Sequence, residues 1–521
     1  MLSKVEQYYL DKSGKELNYP PTEKIPIVQV GNFPELGKLT ALRFIEWVQQ
    51  NPDGVISLPT GKTPEHFIKW VANIIKNWEQ TDIQEELKKV GIDGKNKPVF
   101  NKLRFVQIDE FYPIDSFQHN SFYYYIQKYY FNNLGLNEKL GLFINVNEIG
   151  TAENLSLDEI FPDKVVDLSL RTRYASSREE RLQKQTIEIV DEFCTNYERK
   201  IREMGGIGFF LGGIGPDGHI GFNIKGSDHF STTRLIHTNY ETQAAASSDL
   251  GGIEIARNRL VITIGLETIT YKKDAVAIII AAGEAKANIV RDSIENSYTN
   301  QYPATVLQRL KNARFYLTNG AALRLLERRY RDVEKEEKVS RVSIERAIIN
   351  LCVEKNKSLL ELSEDDYQND RFGKLILEKT GQPHDEISKT IYNSVIKKFE
   401  DGMKYFDNEV FMHSGPHHDD IMLGYLPLIN HLVRNPNNKH YFATLTSGFT
   451  AVTNSYMLEL LQDLKLHLAI GEFRARFSDH YFSPSFVEGK NRDVNLYLDG
   501  IAARSKTLKR EAISRRLLRN I

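Results

Sequence analysis

The sequence predicts an α/β protein: an open parallel sheet flanked by helices, then a helical connector, then a second, partial α/β domain. Three observations carry this. From about Val28 to Asn319, short apolar runs alternate with helical patterns. Those runs are continuous rather than alternating, as strands buried on both faces of a parallel sheet require. Near Glu409, after a long charged stretch, a strand–helix–strand pattern starts again. A length of 521 residues leaves room for this, since one domain takes about 100–200.

The first strand expected is Gly54–Leu58 (GVISL). It runs into Pro59-Thr60-Gly61-Lys62-Thr63-Pro64 and then a helix on which Phe67, Val71, Ile74 and Trp78 recur at helical spacing. Further strands are expected at Leu103–Ile108, Ile207–Leu211, Leu260–Ile264, Ala275–Ile280 and Phe315–Leu317. Strands separated by helices imply right-handed crossovers, with ligands beyond the C-terminal ends of the strands. Thr151–Arg173 reads as an inserted loop before a long helix. From Arg328 to about Lys404 the chain reads helical and highly charged. These patterns divide it into residues 1–325, a connector at 326–404 and a last domain at 405–521. In that domain EVFMHSG and HYFATLTSG are strand candidates and Asp420–Val433 a helix.

Composition narrows the class. Balanced charge, 68 basic against 69 acidic residues, gives no reason to expect a nucleic acid or a membrane as partner. The cluster Arg328, Arg329 and Arg331 has acidic neighbours and reads as a solvated helix face; Arg515, Arg516 and Arg519 form a second cluster. Cys194 and Cys352 are too few for a disulfide framework or a cysteine zinc site and read as buried thiols. The N-terminus is too polar for a signal peptide. No run reaches the ~18 apolar residues of a membrane span. A cytoplasmic enzyme is expected.

Four places carry chemistry. Thr63 is placed to N-cap a helix with Pro64 at its first position, so the loop Gly61–Thr63 and the helix N–H groups would form an anion site, with Lys62 adding charge. An ordinary capped turn would read the same. Asp109 and Glu110 follow the strand LRFVQI; side by side and partly buried, one is a candidate base, the alternative being a helix-capping Asp beside a solvated Glu. In Phe209–Asn223 a buried strand ends in Gly212, Gly213, Gly215 and Gly218, around Asp217 and His219. The glycines permit close approach of a ligand, and a carboxylate beside an imidazole suits acid–base work. Lys286 opens a helix after the strand AVAIII and could clamp a phosphate, or be an exposed helix lysine.

Taken in order, LPTGKTPE, VQIDEFY, GGIGPDGHIGFN, VITIGLET and GEAKANIV resemble the glucosamine-6-phosphate deaminase (isomerase) family over roughly residues 30–325. The resemblance implies a Rossmann-like α/β fold and the conversion of glucosamine 6-phosphate and water to fructose 6-phosphate and ammonia, without a metal. It implies Asp109 as the base that moves a proton between C2 and C1, His219 as the ring-opening acid–base and Asp217 as its orienting partner. Thr60, Gly61, Thr63 and Lys286 match positions around the substrate phosphate. The partner implied is a small-molecule sugar phosphate, and a homo-oligomer is expected. Two departures stand out. Ile224 replaces a family Glu that completes the relay with the His, and Gln243 replaces a phosphate-contacting Arg. Lys62 replaces a Gly and offers a compensating charge. The departures point to reduced activity, or to a sugar-phosphate-binding sensor on the same fold. A 6-phosphogluconolactonase shares the fold family, but GHIGFN and Asp109-Glu110 favour the deaminase.

In Phe411–Tyr425 (FMHSGPHHDDIMLGY), His417 and Asp420 make a plausible open zinc site with Asp419 as base; a polar capping cluster reads equally well. The motif, with Thr444–Gly448 (TLTSG), resembles the zinc-dependent N-acetylglucosaminyl deacetylase family over residues 405–521. That implies His417 and Asp420 as metal ligands and Asp419 as general base, with His418 where the family has Pro. No third ligand is found: His431, His440 and His480 lack its setting. A deacetylase would make the free amine that a deaminase consumes.

Overall fold

The computed structural model describes residues 2–61, 63–118, 120–243, 259–417, 419–445, 454–470, 477, 480–483 and 485–520. It forms two compact units, the first ending at Lys404 and the second starting at Tyr405. No helix among the described residues is long and apolar enough to cross a membrane.

In the first unit the strands are β1 (Ile27–Val30), β2 (Val55–Ser57), β3 (Arg104–Val106), β4 (Asp109–Tyr112), β5 (Gly141–Leu142), β6 (Phe209–Gly213), β7 (Arg234–Ile236), β8 (Leu260–Thr263), β9 (Val276–Ala281) and β10 (Asn312–Thr318). Seven of them form one sheet in the order β1-β10-β9-β6-β2-β3-β5, and every neighbouring pair in it is parallel. The fully buried runs of β2 and β9, and the first four residues of β6, explain the continuous apolar patterns. From β2 the chain moves outward to β3 and β5; from β6 it moves the other way, to β9 and β10. Neighbours whose connections leave in opposite directions open a crevice at their C-terminal ends. The β2 and β6 loops therefore face one crevice.

Helix Phe33–Gln50 starts from Asn32, whose side chain accepts the Glu35 N–H, and buries Phe44 and Trp47 against Phe209 of β6. Each such ring, fully buried, contributes about 1.5–3 kcal/mol. Gly37 lets this helix cross helix Glu65–Lys76 closely, since a Cβ there would lie 2.3 Å from His66 Cβ. That contact seats the helix that follows the β2 turn.

Three readings need correction. Leu260–Ile264 is a strand, but not a parallel one: β8 lies between β4 and β7 in a separate antiparallel sheet, with Asp109 and Arg234 both opposite Thr263. Its four residues are all buried, and a run buried on both faces looks alike in either sheet type. Second, the strand LRFVQI stops at Val106. Gln107 bridges the break, accepting the Ile144 N–H at 2.9 Å and donating to the Asp109 carbonyl at 2.9 Å, so Asp109 and Glu110 begin β4 rather than trail a parallel strand. Third, Arg328 is not on a solvated face. It is 2% exposed and its Nε donates to Glu23 Oε1 at 2.7 Å. Cys194 is buried, as expected, whereas Cys352 is half-buried.

Residues 326–404 belong to the first unit. Helices Leu326–Lys335, Arg341–Lys355, Arg371–Thr380 and His384–Gly402 build a small core of their own around Ile348, Leu351, Tyr367, Ile376 and Ile391. In the second unit, β11 (Val410–Gly415) pairs in parallel with β12 (Lys439–Thr444), and helix Asp420–Leu432 connects them. Helices Val487–Ala502 and Lys506–Asn520 are tied by Asp493, which is buried and accepts from Arg519 at 2.6 Å, with Arg515 beside it.

Candidate active site

The β2 turn is held from behind by two tyrosines. Tyr130 Oη donates to the Pro59 carbonyl at 2.5 Å and Tyr125 Oη to the Gly61 carbonyl at 2.8 Å, with half-buried Thr60 between them. Gly61 has φ +79°, a left-handed conformation that favours glycine. Thr63 does not cap the next helix. That helix starts at Glu65, with Pro64 as its first flanking residue and no side-chain cap. Thr63 instead points across the crevice: a Cβ on Gly213, at the end of β6, would meet Thr63 Cγ2 at 3.3 Å and Oγ1 at 3.5 Å. The helix N–H groups are thus left open for an anion. Lys62 lies outside the described residues.

The β6 loop holds the Asp217–His219 pair. His219 Nδ1 is 2.5 Å from Asp217 Oδ1. Asp217 Oδ2 accepts the Lys225 N–H at 2.9 Å and the Asn239 amide at 2.7 Å. Burial alone would raise the Asp217 carboxyl, but these three contacts and the imidazole's charge hold it well below the usual carboxylate range. The imidazole lies directly over Gly215, where a Cβ would come within 2.0 Å of Cε1, and it stacks on Phe222 with ring centres 5.8 Å apart. Lys286, after β9, turns back to this loop and donates from Nζ to the Ile214 carbonyl at 2.8 Å. Burial lowers its pKa, and the charge of Asp217 works against that.

Asp109 and Glu110 part ways. Glu110, completely buried, accepts from Ser121 Oγ at 2.7 Å and from the N–H groups of Tyr123, Phe122 and Phe111 at 2.7, 3.0 and 3.0 Å. Glu110, rather than Asp109, thus occupies a helix N-terminus. Burial lifts it to about 7 against the pull of those donors. Asp109 is 7% exposed, and its carboxylate receives no hydrogen bond from the described residues. Burial first, then the Glu110 charge, push it well above the usual carboxylate range. The loop carrying His219 packs against this region: Phe222 N–H donates to Thr263 Oγ1 at 3.1 Å, a Cβ on Gly221 would lie 3.3 Å from Ile108 Cγ2, and Phe222 meets Phe111 at 5.5 Å.

The Thr60–Thr63 turn, the Asp217–His219 pair and Lys286 thus follow the C-terminal ends of the parallel strands β2, β6 and β9, while Asp109 opens β4 of the small antiparallel sheet. Residues not anticipated are Tyr125, Tyr130, Asn239 and Thr242, whose partners lie too far along the chain for spacing to reveal. Of the two departures, Ile224 is half-buried and its side chain offers no polar group, while Gln243 Nε2 donates to the Thr238 carbonyl at 2.9 Å and its buried Oε1 has no partner among the described residues. A cavity of about 730 Å³, lined by Pro113, Asp115, Asn147 and Arg259 among others, contains none of the site residues.

In the second unit, ligand atoms of His417, Asp419 and Asp420 lie within 4.8 Å of one another. The His417 N–H donates to Asp420 Oδ2 at 2.7 Å. His440 is engaged elsewhere, its Nδ1 3.0 Å from Nε2 of buried His413. His418 and the end of TLTSG lie outside the described residues.

No protein-family model matches the sequence. The chain is 27% identical over 300 residues to a glucosamine-6-phosphate deaminase of Clostridium botulinum, covering 57% of this chain and 98% of that protein. It is 25% identical over 295 residues to one of Oceanobacillus iheyensis, covering 57% and 94%. Among solved structures, a monomeric glucosamine-6-phosphate deaminase aligns with TM-score 0.43 and 20% identity over 57% of this chain and 99% of that one. A 6-phosphogluconolactonase from Trypanosoma cruzi aligns with TM-score 0.38 and 18% identity over 57% and 96%. The N-terminal 57% of the chain is therefore similar to glucosamine-6-phosphate deaminases over almost their whole length.

Proposed function

We propose that the first unit converts glucosamine 6-phosphate and water to fructose 6-phosphate and ammonia. The observation that supports this is an open helix N-terminus and a carboxylate–imidazole pair at one end of a parallel sheet, with a buried carboxylate that has no hydrogen-bond donor among the described residues on the small sheet packed against the same loop. The phosphate sits on the Thr60–Thr63 turn and Lys286. His219 takes the proton from the C1 hydroxyl and returns it to the ring oxygen, opening the sugar. Asp109 removes the C2 proton and delivers it to C1, so C1 is reduced and C2 oxidised. Water adds to the resulting C2 imine and ammonia leaves. The substrate ammonium beside Asp109 supplies the opposite charge that keeps its carboxylate ionised. Ammonia release from glucosamine 6-phosphate, absent in Asp109→Asn, tests the reading; no release by the wild type overturns it. A second reading, a sensor that binds sugar phosphate without turnover, draws on Ile224 and on Gln243 standing where the resemblance expects a Glu and an Arg. It is chosen if glucosamine 6-phosphate raises the melting temperature but releases no ammonia.

For the second unit we propose a zinc site held by His417 and Asp420, with Asp419 as base. One imidazole and one carboxylate are donors zinc accepts, and ligand atoms of His417, Asp419 and Asp420 lie within 4.8 Å of one another. Zinc bound there would polarise an acetamide carbonyl. Metal analysis after incubation with zinc checks the site; a zinc content near zero rejects it.

A further inference from the structure

The Asp217–His219 pair is closed into a ring by a segment some twenty residues further along. Asn239 Nδ2 donates to Asp217 Oδ2 at 2.7 Å. Asn239 Oδ1 accepts the Thr242 N–H at 2.9 Å. Thr242 Oγ1 returns to His219 Nδ1 at 3.3 Å, and Thr242 is 2% exposed. From this ring we infer that Asn239 and Thr242 are positioning residues that fix the tautomer and orientation of the His219 imidazole.

Donors and acceptors decide the tautomer. Asp217 as a carboxylate only accepts, so the His219 nitrogen 2.5 Å away carries the hydrogen. Nδ1–H is thereby fixed and Nε2 keeps its lone pair for a substrate proton. The arrangement holds only while Asp217 cannot rotate. Rotation is blocked at Oδ2 by the Lys225 N–H and the Asn239 amide.

The orientation of that amide is not free. Its oxygen is committed to the Thr242 N–H, so its nitrogen must face Asp217. Capping alone does not explain an asparagine here. Serine or aspartate would cap the turn equally well. Serine has no donor that reaches Asp217, and aspartate would set a second carboxylate against it. Asparagine both caps and donates. Thr242 Oγ1, 3.3 Å from the same Nδ1, is a second and weaker acceptor for its one hydrogen, so the imidazole is held by groups from two segments of the chain. Half-buried Ile224, inside the loop, contributes no polar contact of this kind.

The catalytic arm of the test rests on the isomerase reading, while its spectroscopic arm does not. Long-range proton–nitrogen NMR of full-length protein labelled at histidine, with His219→Gln for assignment, reads the tautomer directly. The wild type is expected to show His219 as a single Nδ1–H form. Asn239→Ser and Thr242→Val, which keep the cap and the side-chain shape respectively, are expected to mix the two tautomers. Asn239→Ser is expected to lower kcat about tenfold, the effect of one lost hydrogen bond to a charged group, and Thr242→Val about fivefold, that of one to a neutral group, each with KM within about twofold. Asn239→Asp should lower kcat further. An Nε2–H form in the wild type overturns the inference, and so do variants whose tautomer and kcat are both unchanged. If the wild type releases no ammonia but the variants still mix the tautomers, the isomerase reading falls and the positioning role stands.

Discussion

Gly215→Ala is the sharpest probe of the first site. The added methyl would lie 2.0 Å from His219 Cε1 and 2.2 Å from both ring nitrogens. Ordinary contact needs about 3.5 Å, so the imidazole must retreat by about 1.5 Å. Such a shift takes Nδ1 out of hydrogen-bond range of Asp217, now 2.5 Å away. A misplacement of about 1 Å in a reacting group costs about a hundredfold in rate. The fold should tolerate the change. Gly215 is not among the residues with positive φ, so alanine suits its backbone, and the stability loss should stay near the ~1 kcal/mol of an average substitution. Ammonia release from glucosamine 6-phosphate, measured beside a thermal melt, separates the two effects. An alanine variant with wild-type kcat and an unchanged melt would show that the imidazole's position over Gly215 is irrelevant to turnover.

Two further outcomes follow from buried charges. Glu110 sits at about 7 in the folded protein against 4.5 for a free carboxyl, raised by burial. Its protonated form therefore stabilises the fold fully below pH 4.5, and that contribution is lost as pH rises through about 7. The melting temperature of Glu110→Gln, compared with wild type across this range, should lack that decline, and parallel curves would refute it. Arg328→Met strands Glu23 without its partner in a fully buried position, at a cost of about 3–5 kcal/mol in urea unfolding. Adding Glu23→Leu should restore most of this, and a single variant as stable as wild type contradicts the pairing.

The parts legible in the sequence were those that depend on short-range pattern. The apolar runs marked β2, β6, β9 and β10 because burial on both faces leaves no polar alternation. The Gly212–Gly218 cluster marked a loop with close backbone approach, and the imidazole above Gly215 gives that pattern its reason. What failed was long-range. The run LVITI could not say which sheet it joins. Thr63 looked like a cap, but Pro64 takes the flanking position and Thr63 turns to Gly213. Arg328 reads as solvated because charged residues surround it in the sequence, while its partner lies about three hundred residues earlier. Tyr125, Tyr130, Asn239 and Thr242 are ordinary polar residues until the fold brings their acceptors to them.

The break at Gln107 has one more consequence. The phosphate turn and the imidazole hang from the large sheet, whereas Asp109 belongs to the small one. The gap between Asp109 and His219, the proposed base and ring-opener, is thus a property of how two sheets lean on each other, through Phe111, Phe122 and Phe222 and the Phe222–Thr263 hydrogen bond. Trimming one of those rings would tilt one half of the proposed reaction relative to the other without altering any group proposed to meet the sugar.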